Sequence, residues 1–383
     1  MPWPVLVAAL LALTLCFAVN YSFRMLRAAA VLGFMNDKPR PLRVYDRFFG
    51  HRIDIADMSI PGRLGPVKIR VYTPIGVSHP KPILIVHGFA PDGNQDGYLN
   101  RVARALTEMG YMVVLPNVPA ETKFEMLPSD MVVIDDAIRW SAHASGQRVS
   151  VFGISFGAGL CIPAALQPAV DGDVKLIFSL SGYNNLDSIA RYYLHDRVND
   201  PSGNPYLGNP AGPLLIVTPY LQELVPPDDL QAIRRELDQL KHVQGRRLTG
   251  DDPSAHHLNE EERQKLNELE TVDTANMHQL YLNTLNRHSA EIAAISPSSV
   301  LPRLNVPLYI LHGANDPVFP VGEVEWMRLE LAGNRNAHIL ITPWIAHAFV
   351  GQPATWWEKL KVINFGSSLL YQASRSAPAA PSS

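Results

Sequence analysis

The sequence predicts an α/β fold, a mostly parallel sheet flanked by helices, carrying a helical cap insertion and an N-terminal transmembrane helix. Three observations lead there. Short apolar runs of strand length alternate with stretches of helical spacing over residues 65–182 and again over 300–372, the rhythm of βαβ units. The rhythm lapses over 183–299, where helical spacing dominates. The first 24 residues hold a long uncharged run.

From Trp3 to Phe23 there is no charged residue, and only Thr14, Asn20 and Ser22 are clearly polar. A helix needs about 20 such residues to cross a hydrocarbon core. A secretory signal is the competing reading. No Lys or Arg precedes the run, and Phe17-Ala18-Val19-Asn20-Tyr21 is a poor cleavage site, so residues 1–24 are expected to remain as a membrane anchor. Arg24, Arg27, Lys38, Arg40 and Arg43 all follow the run, which places the rest of the chain in the cytoplasm by the positive-inside rule. Met25 to Phe34, apolar apart from Arg27, is expected to lie along the membrane interface. Residues 25–64 read as a linker and a first strand region.

The core then unfolds in order. Val67 to Tyr72 alternates as a half-buried strand should, and Ile83-Leu84-Ile85-Val86 is a buried-strand run ending at His87-Gly88. A helix is expected from about Gly97 to Gly110, a strand at Met112–Leu115, and a helix from about Ser129 to Ala144 with Asp135 and Asp136 on a solvated face. Strands follow at Val149–Phe152 and Val174–Leu180, with a helix starting at Ser155 between them. In the insertion, Leu230, Ile233, Leu237 and Leu240 recur at helical spacing, as do Met277, Leu280, Tyr281 and Leu285, around a polar loop from Gly245 to His257. The core resumes with a strand at Val306–Leu311, a helix at about 321–331, a strand at His338–Thr342 and a helix at about 354–371. The Ala/Pro/Ser-rich tail over 373–383 is expected to be disordered.

The chemistry concentrates at Gly153-Ile154-Ser155-Phe156-Gly157. A serine on a tight turn between a buried strand and a helix needs glycine two residues before and after it, because a Cβ at either place would crowd the turn. The helix N-terminus aims N–H groups and partial positive charge at the same spot. Serine alone is a poor nucleophile and needs a base held by a carboxylate. His347 lies five residues past the strand ending at Thr342, and Asp316 follows the strand ending at Leu311. Asp187, soon after Ser181, is the rival acid. An oxyanion requires two donors: the backbone N–H of Phe156 and that of Phe89, with Ala90 the alternative to Phe89.

These residues, in the order Ser155, Asp316, His347, with His87-Gly88 at a strand end, make the chain resemble the α/β-hydrolase superfamily. The resemblance covers roughly 65–182 and 300–372 and sets the insertion where members carry a cap. It implies a Ser-His-Asp hydrolase acting through an acyl-enzyme, by default on carboxylic esters, with no cofactor or metal. A hydrophobic or lipid-like acyl substrate is expected from the apolar N-terminus and cap. A peptidase, a thioesterase and a non-catalytic membrane-tethered binding protein are the alternatives. The 383 residues are 47% hydrophobic and 18% charged with net charge −3, so no electrostatic footprint for nucleic acid is present. The two cysteines, Cys16 and Cys161, offer neither a disulfide framework nor metal-ligand spacing.

Overall fold

The computed structural model describes residues 19–33, 50–206, 218–231 and 275–379, apart from positions 91, 124, 195, 225, 229, 348 and 351. Eight strands form one sheet: β1 (Ile53–Ile60), β2 (Val67–Pro74), β3 (Lys81–Val86), β4 (Tyr111–Pro116), β5 (Val149–Ile154), β6 (Val174–Leu180), β7 (Leu308–Gly313) and β8 (Ala337–Thr342). Their order is β1-β2-β4-β3-β5-β6-β7-β8. β1 and β2 pair antiparallel, β2 meets β4 antiparallel, and every other neighbouring pair is parallel. This is the α/β arrangement expected from the sequence.

The strand chemistry explains the layering. β4 and β5 are buried along their whole length, because a parallel strand covered on both faces must be apolar throughout. On one face pack the helix over residues 19–33 (α1), α2 (Gly97–Glu108) and a long C-terminal helix, α10 (Trp356–Ser374). The other face carries α3 (Pro128–Ser145), α4 (Phe156–Ala165) and α9 (Gly322–Glu330). The described ends of the insertion join this second face. They comprise α5 (Leu186–Tyr193), α6 (Leu221–Leu224), α7 (Ala275–Arg287) and α8 (Ser289–Ala294), which contribute Ile189, Tyr193, Tyr281, Leu285 and Ile292 to its core.

The chain runs from β3 to β4 on one side, then returns past β3 to β5 on the other. That reversal opens a crevice beyond the carboxyl ends of the strands, where ligands bind in sheets of this kind. The loop after β3 and the turn after β5 both sit there.

Several expectations need correction or bounding. Among the described residues, no helix is long and apolar enough to cross a membrane; residues 1–18 of the expected anchor lie outside the described part. The segment expected at the membrane interface packs one face on the protein. Ala28 and Ala30 are buried, Arg27 Nη2 donates to the Met109 carbonyl at 2.8 Å, and Tyr21 donates to Asn364 Oδ1 at 2.8 Å. Small side chains at 28 and 30 let α1 approach the sheet domain closely.

Asp135 and Asp136 are buried rather than solvated. Arg63, from the loop before β2, bridges them at 3.2 and 2.7 Å, so the carboxylates exchange water for a cation. The tail, expected to be disordered from residue 373, is laid against the chain as far as 379. Arg148 donates to the Ala377 carbonyl at 2.7 Å, and Ala379 donates to the Gly146 carbonyl at 3.3 Å. An unpaired backbone beside α3 gives this strand-like tail its partners. The helix expected over Leu230–Leu240 and the loop Gly245–His257 lie almost wholly outside the described residues.

An apolar cavity of about 70 Å³ separates the sheet from α1 and α10, bordered by Ala28, Leu32, Phe152, Ile154 and Gly366. Ser155, Asp316 and His347 do not line it.

Candidate active site

Ser155 stands between β5 and α4 with φ 58° and ψ −127°, a backbone conformation that L-residues rarely adopt and that costs about 1–3 kcal/mol. The neighbouring glycines show why the turn tolerates it. A Cβ at Gly153 would come within 2.4 Å of the Gly157 carbonyl oxygen, and one at Gly157 within 2.0 Å of the His87 carbonyl oxygen. The loop after β3 presses equally close: a Cβ at Gly88 would meet Ser155 Cβ at 2.7 Å and Oγ at 3.2 Å.

The structure brings Ser155, His347 and Asp316 together. Ser155 Oγ lies 2.7 Å from His347 Nε2. His347 Nδ1 lies 3.1 Å from each Asp316 oxygen. The carboxylate accepts only, so the ring carries its proton on Nδ1, and Nε2 is left to accept from the serine hydroxyl. Asp187, the rival acid, is instead paired with Arg191 at 2.8 Å on α5.

Asp316 is 6% exposed. Oδ1 also accepts from the N–H groups of Val318 and Phe319, at 2.8 and 3.0 Å. Burial pushes its carboxyl pKa up, but the hydrogen bond from His347, with that from the Phe319 N–H, holds it below the ordinary carboxylate value. His312 supports this loop as strand-end packing. It is fully buried, and its Nε2 donates to the Phe319 carbonyl at 3.0 Å. Burial lowers its pKa, which keeps the ring neutral beside Asp316.

The two expected oxyanion donors are neighbours. Phe156 is the first residue of α4, so its N–H has no acceptor within the helix. Phe89 is on the loop that crowds Ser155, and its ring stacks on Phe156 with centroids 3.9 Å apart and planes at 18°. Phe319 meets Phe156 edge-on at 4.8 Å and lies 5.6 Å from the His347 ring. Aromatic side chains thus tie the donor loops to the base. Ala90, the alternative donor, uses its carbonyl to accept from Gly93.

Sequence reasoning missed two residues here. Ser181, at the end of β6, donates its hydroxyl to the His347 carbonyl. Glu121, in the segment after β4, is fully buried with its carboxyl 3.3 Å from the ring of His87. Neither belongs to a motif, and only tertiary packing brings them to the site. Among the described residues no group of acidic, His and Cys side chains could hold a metal ion.

The strand order with its antiparallel second strand, the elbow serine at a switch point, and a histidine and a carboxylate beyond two later strands give the chain an α/β-hydrolase fold. No family model matches the chain, and no curated protein matches its sequence. Solved structures with a similar course of chain include a dienelactone hydrolase and esterases. A protein described as a dienelactone hydrolase from Klebsiella pneumoniae is 17% identical, covering 85% of this chain and 100% of its own, with TM-score 0.45. An esterase from Pyrobaculum calidifontis is 18% identical, over 98% of this chain and 100% of its own, with TM-score 0.46. The Pyrococcus furiosus esterase Pf2001 is 14% identical, over 85% and 94%, with TM-score 0.45. The strand order and the elbow, rather than these distant similarities, carry the fold.

Proposed function

We propose that this chain is a serine hydrolase cleaving carboxylic esters through an acyl-enzyme. The observation that carries the reading is the unbroken line from Ser155 Oγ through the His347 ring to Asp316, at 2.7 and 3.1 Å. His347 takes the hydroxyl proton as Oγ attacks the ester carbonyl. The oxyanion that forms is held by the N–H groups of Phe89 and Phe156. His347 then gives the proton to the departing alcohol, and water repeats the sequence to free the acid. Asp316 stays ionised throughout and fixes the ring tautomer.

A hydrophobic acyl group suits the site, since the half-buried ring of Phe89 lies beside Ser155, stacked on the buried ring of Phe156. A fluorophosphonate probe tests the reading first: it labels the intact protein and leaves Ser155→Ala unlabelled. A panel of p-nitrophenyl esters of increasing chain length, with a thioester and an anilide beside them, then reports substrate class. Rates that favour long acyl esters support the reading. Absence of labelling removes it, and turnover confined to short soluble esters removes the hydrophobic preference.

A further inference from the structure

His87 ends β3 with its side chain 1% exposed, and its three polar neighbours fix its role. The Val118 N–H donates to Nε2 at 3.1 Å. A ring nitrogen that accepts carries no proton, so the proton sits on Nδ1 and the ring is neutral. A doubly protonated ring would set two donors against each other at Nε2. Nδ1 therefore donates, and the Gly88 carbonyl oxygen is 2.7 Å away.

That carbonyl belongs to the same peptide group as the Phe89 N–H. The peptide is planar and trans, as all are among the described residues, so its N–H points opposite to its C=O. Holding the oxygen down on His87 aims the Phe89 N–H away from His87. Gly88 itself lies against Ser155, where a Cβ would stand 3.2 Å from Oγ. A hydrogen bond to the carbonyl also polarises the peptide and strengthens its N–H as a donor.

Glu121 completes the arrangement. Its Oε2 is 3.3 Å from His87 Nδ1, it is 0% exposed, and neither carboxyl oxygen makes a hydrogen bond. A buried carboxyl left in this state calls for a reason. Burial, and secondly the charge of Asp130, raise its pKa well above the usual value, while burial lowers that of His87. Both shifts favour the uncharged forms, and a ring that accepts at Nε2 is neutral, so the contact is not an ion pair. A neutral acid beside Nδ1 tolerates the ring proton on that side and adds no charge beneath the oxyanion.

We propose that His87 and Glu121 are positioning residues: His87, held between Val118 and Glu121, clamps the Gly88 carbonyl and so aims the Phe89 N–H at the oxyanion formed on Ser155. The proposal rests on the hydrolase reading above. His87 touches no reacting atom, so its effect is on transition-state stabilisation and not on ground-state binding.

The test compares His87→Leu, which removes the donor, with His87→Asn, whose amide can stand where Nδ1 stands. Initial rates on a p-nitrophenyl ester are measured with the affinity of an alkylboronic acid, which forms a tetrahedral adduct on the serine. In H87L, kcat falls about tenfold to a hundredfold, somewhat less than for outright loss of an oxyanion donor. KM stays within twofold, and the boronate weakens in step with kcat. H87N recovers most of both. E121L shows the same split, and E121Q recovers most of its loss; this pair carries the test if H87L does not fold. An unchanged kcat in folded H87L and E121L overturns the proposal, as does an H87N no better than H87L, or a rise in KM with kcat preserved. Fluorophosphonate labelling of the wild type, run in the same series, distinguishes failure of the hydrolase reading from failure of this clamp.

Discussion

The hydroxyl of Ser181 donates a hydrogen bond to the main-chain carbonyl of His347, and both residues hold left-handed backbone, with φ of 50° and 51°. With Ser155 at 58°, these are the non-glycine residues of positive φ among those described. All three stand at the carboxyl edge of the sheet, where strain is kept because the surrounding structure over-determines it. The end of β6 thus pins the loop that carries the base. Ser181→Ala removes that pin and leaves the half-buried carbonyl short of a donor. It is expected to cost about 1 kcal/mol of stability and to lower kcat about tenfold through a misplaced imidazole, with KM little changed. Steady-state kinetics beside a thermal melt separates the two effects. A normal kcat in Ser181→Ala shows that the loop holds His347 without this bond.

Asp316 accepts from three groups through Oδ1, and this determines what Asp316→Asn does. The amide oxygen can still satisfy Val318 and Phe319, so the loop survives. The amide N–H, however, faces Nδ1 of His347 and favours the tautomer with its proton on Nε2, which cannot accept from Ser155. A fall in kcat of about 10⁴ is expected, with the melting temperature altered much less. An equal loss of stability and activity would instead assign Asp316 to loop folding. The depressed carboxyl pKa also has a sign. Its stabilising contribution is present above the unfolded value of about 3.9 and is lost as pH falls through the lower folded value, a loss that Asp316→Asn no longer shows.

Gly157 faces the His87 carbonyl with no room for a methyl group, since a Cβ would stand 2.0 Å from the oxygen. Gly157→Ala must push the elbow from the loop after β3, and these two segments bring Phe156 and Phe89 together. A loss of more than about 2 kcal/mol of stability is expected from such overpacking, with hydrolysis abolished in whatever folds. Chemical denaturation and probe labelling measure the two. A stable, fully active Gly157→Ala is incompatible with this packing.

These glycines mark how much the sequence disclosed. The elbow was legible because its steric demand is local: two glycines at fixed offsets around Ser155 can be read from a line of letters. The strands were legible for a similar reason, since burial on both faces leaves continuous apolar runs such as Ile83–Val86. His347 and Asp316 were found only through their place after late strands. Ser181 and Glu121 left no sequence signal, because their partners His347 and His87 lie 166 and 34 positions away. Charge was misread where tertiary pairing decided it. Asp135 and Asp136 look like a solvated helix face until Arg63, 72 residues upstream of Asp135, is seen to cover them. The tail looked disordered by composition, yet backbone pairing needs no particular side chains.

Asp130 offers a test of burial at α3. It is 2% exposed, and Oδ2 accepts from the Leu127 N–H at 2.9 Å. Burial outweighs its backbone hydrogen bonds and pushes the pKa up to about 6. Because the folded value exceeds the unfolded one, the folded state holds more protons between about pH 4 and 6. Stability from this group therefore declines as pH rises through that window. Asp130→Asn keeps an acceptor for Leu127 but does not titrate. The advantage of the wild type over Asp130→Asn is expected to shrink by about 1 kcal/mol between pH 5 and pH 7.5. Urea denaturation of both proteins at the two pH values measures it, and a pH-independent difference contradicts the shift.

Gly366 lies inside α10 (Trp356–Ser374), away from the catalytic edge, and borders the apolar cavity beside α1. Glycine in a helix interior costs about 1 kcal/mol relative to alanine, because the unfolded chain has more freedom to lose. Its φ is not positive, so alanine fits the backbone. A Cβ there would meet Ala28 Cβ at 3.5 Å, an ordinary van der Waals contact that fills cavity space instead of displacing atoms. Both terms have the same sign. Gly366→Ala is expected to stabilise the protein by about 0.5–1 kcal/mol with kcat and KM unchanged. Ala28→Gly, which empties the other side of the same contact and loosens α1, is expected to destabilise by a similar amount. Denaturant midpoints of the two variants, with their slopes, test the docking of α1 on α10. If Gly366→Ala destabilises, a side chain already occupies the space at residue 366. If Ala28→Gly has no effect, α1 does not pack there in solution.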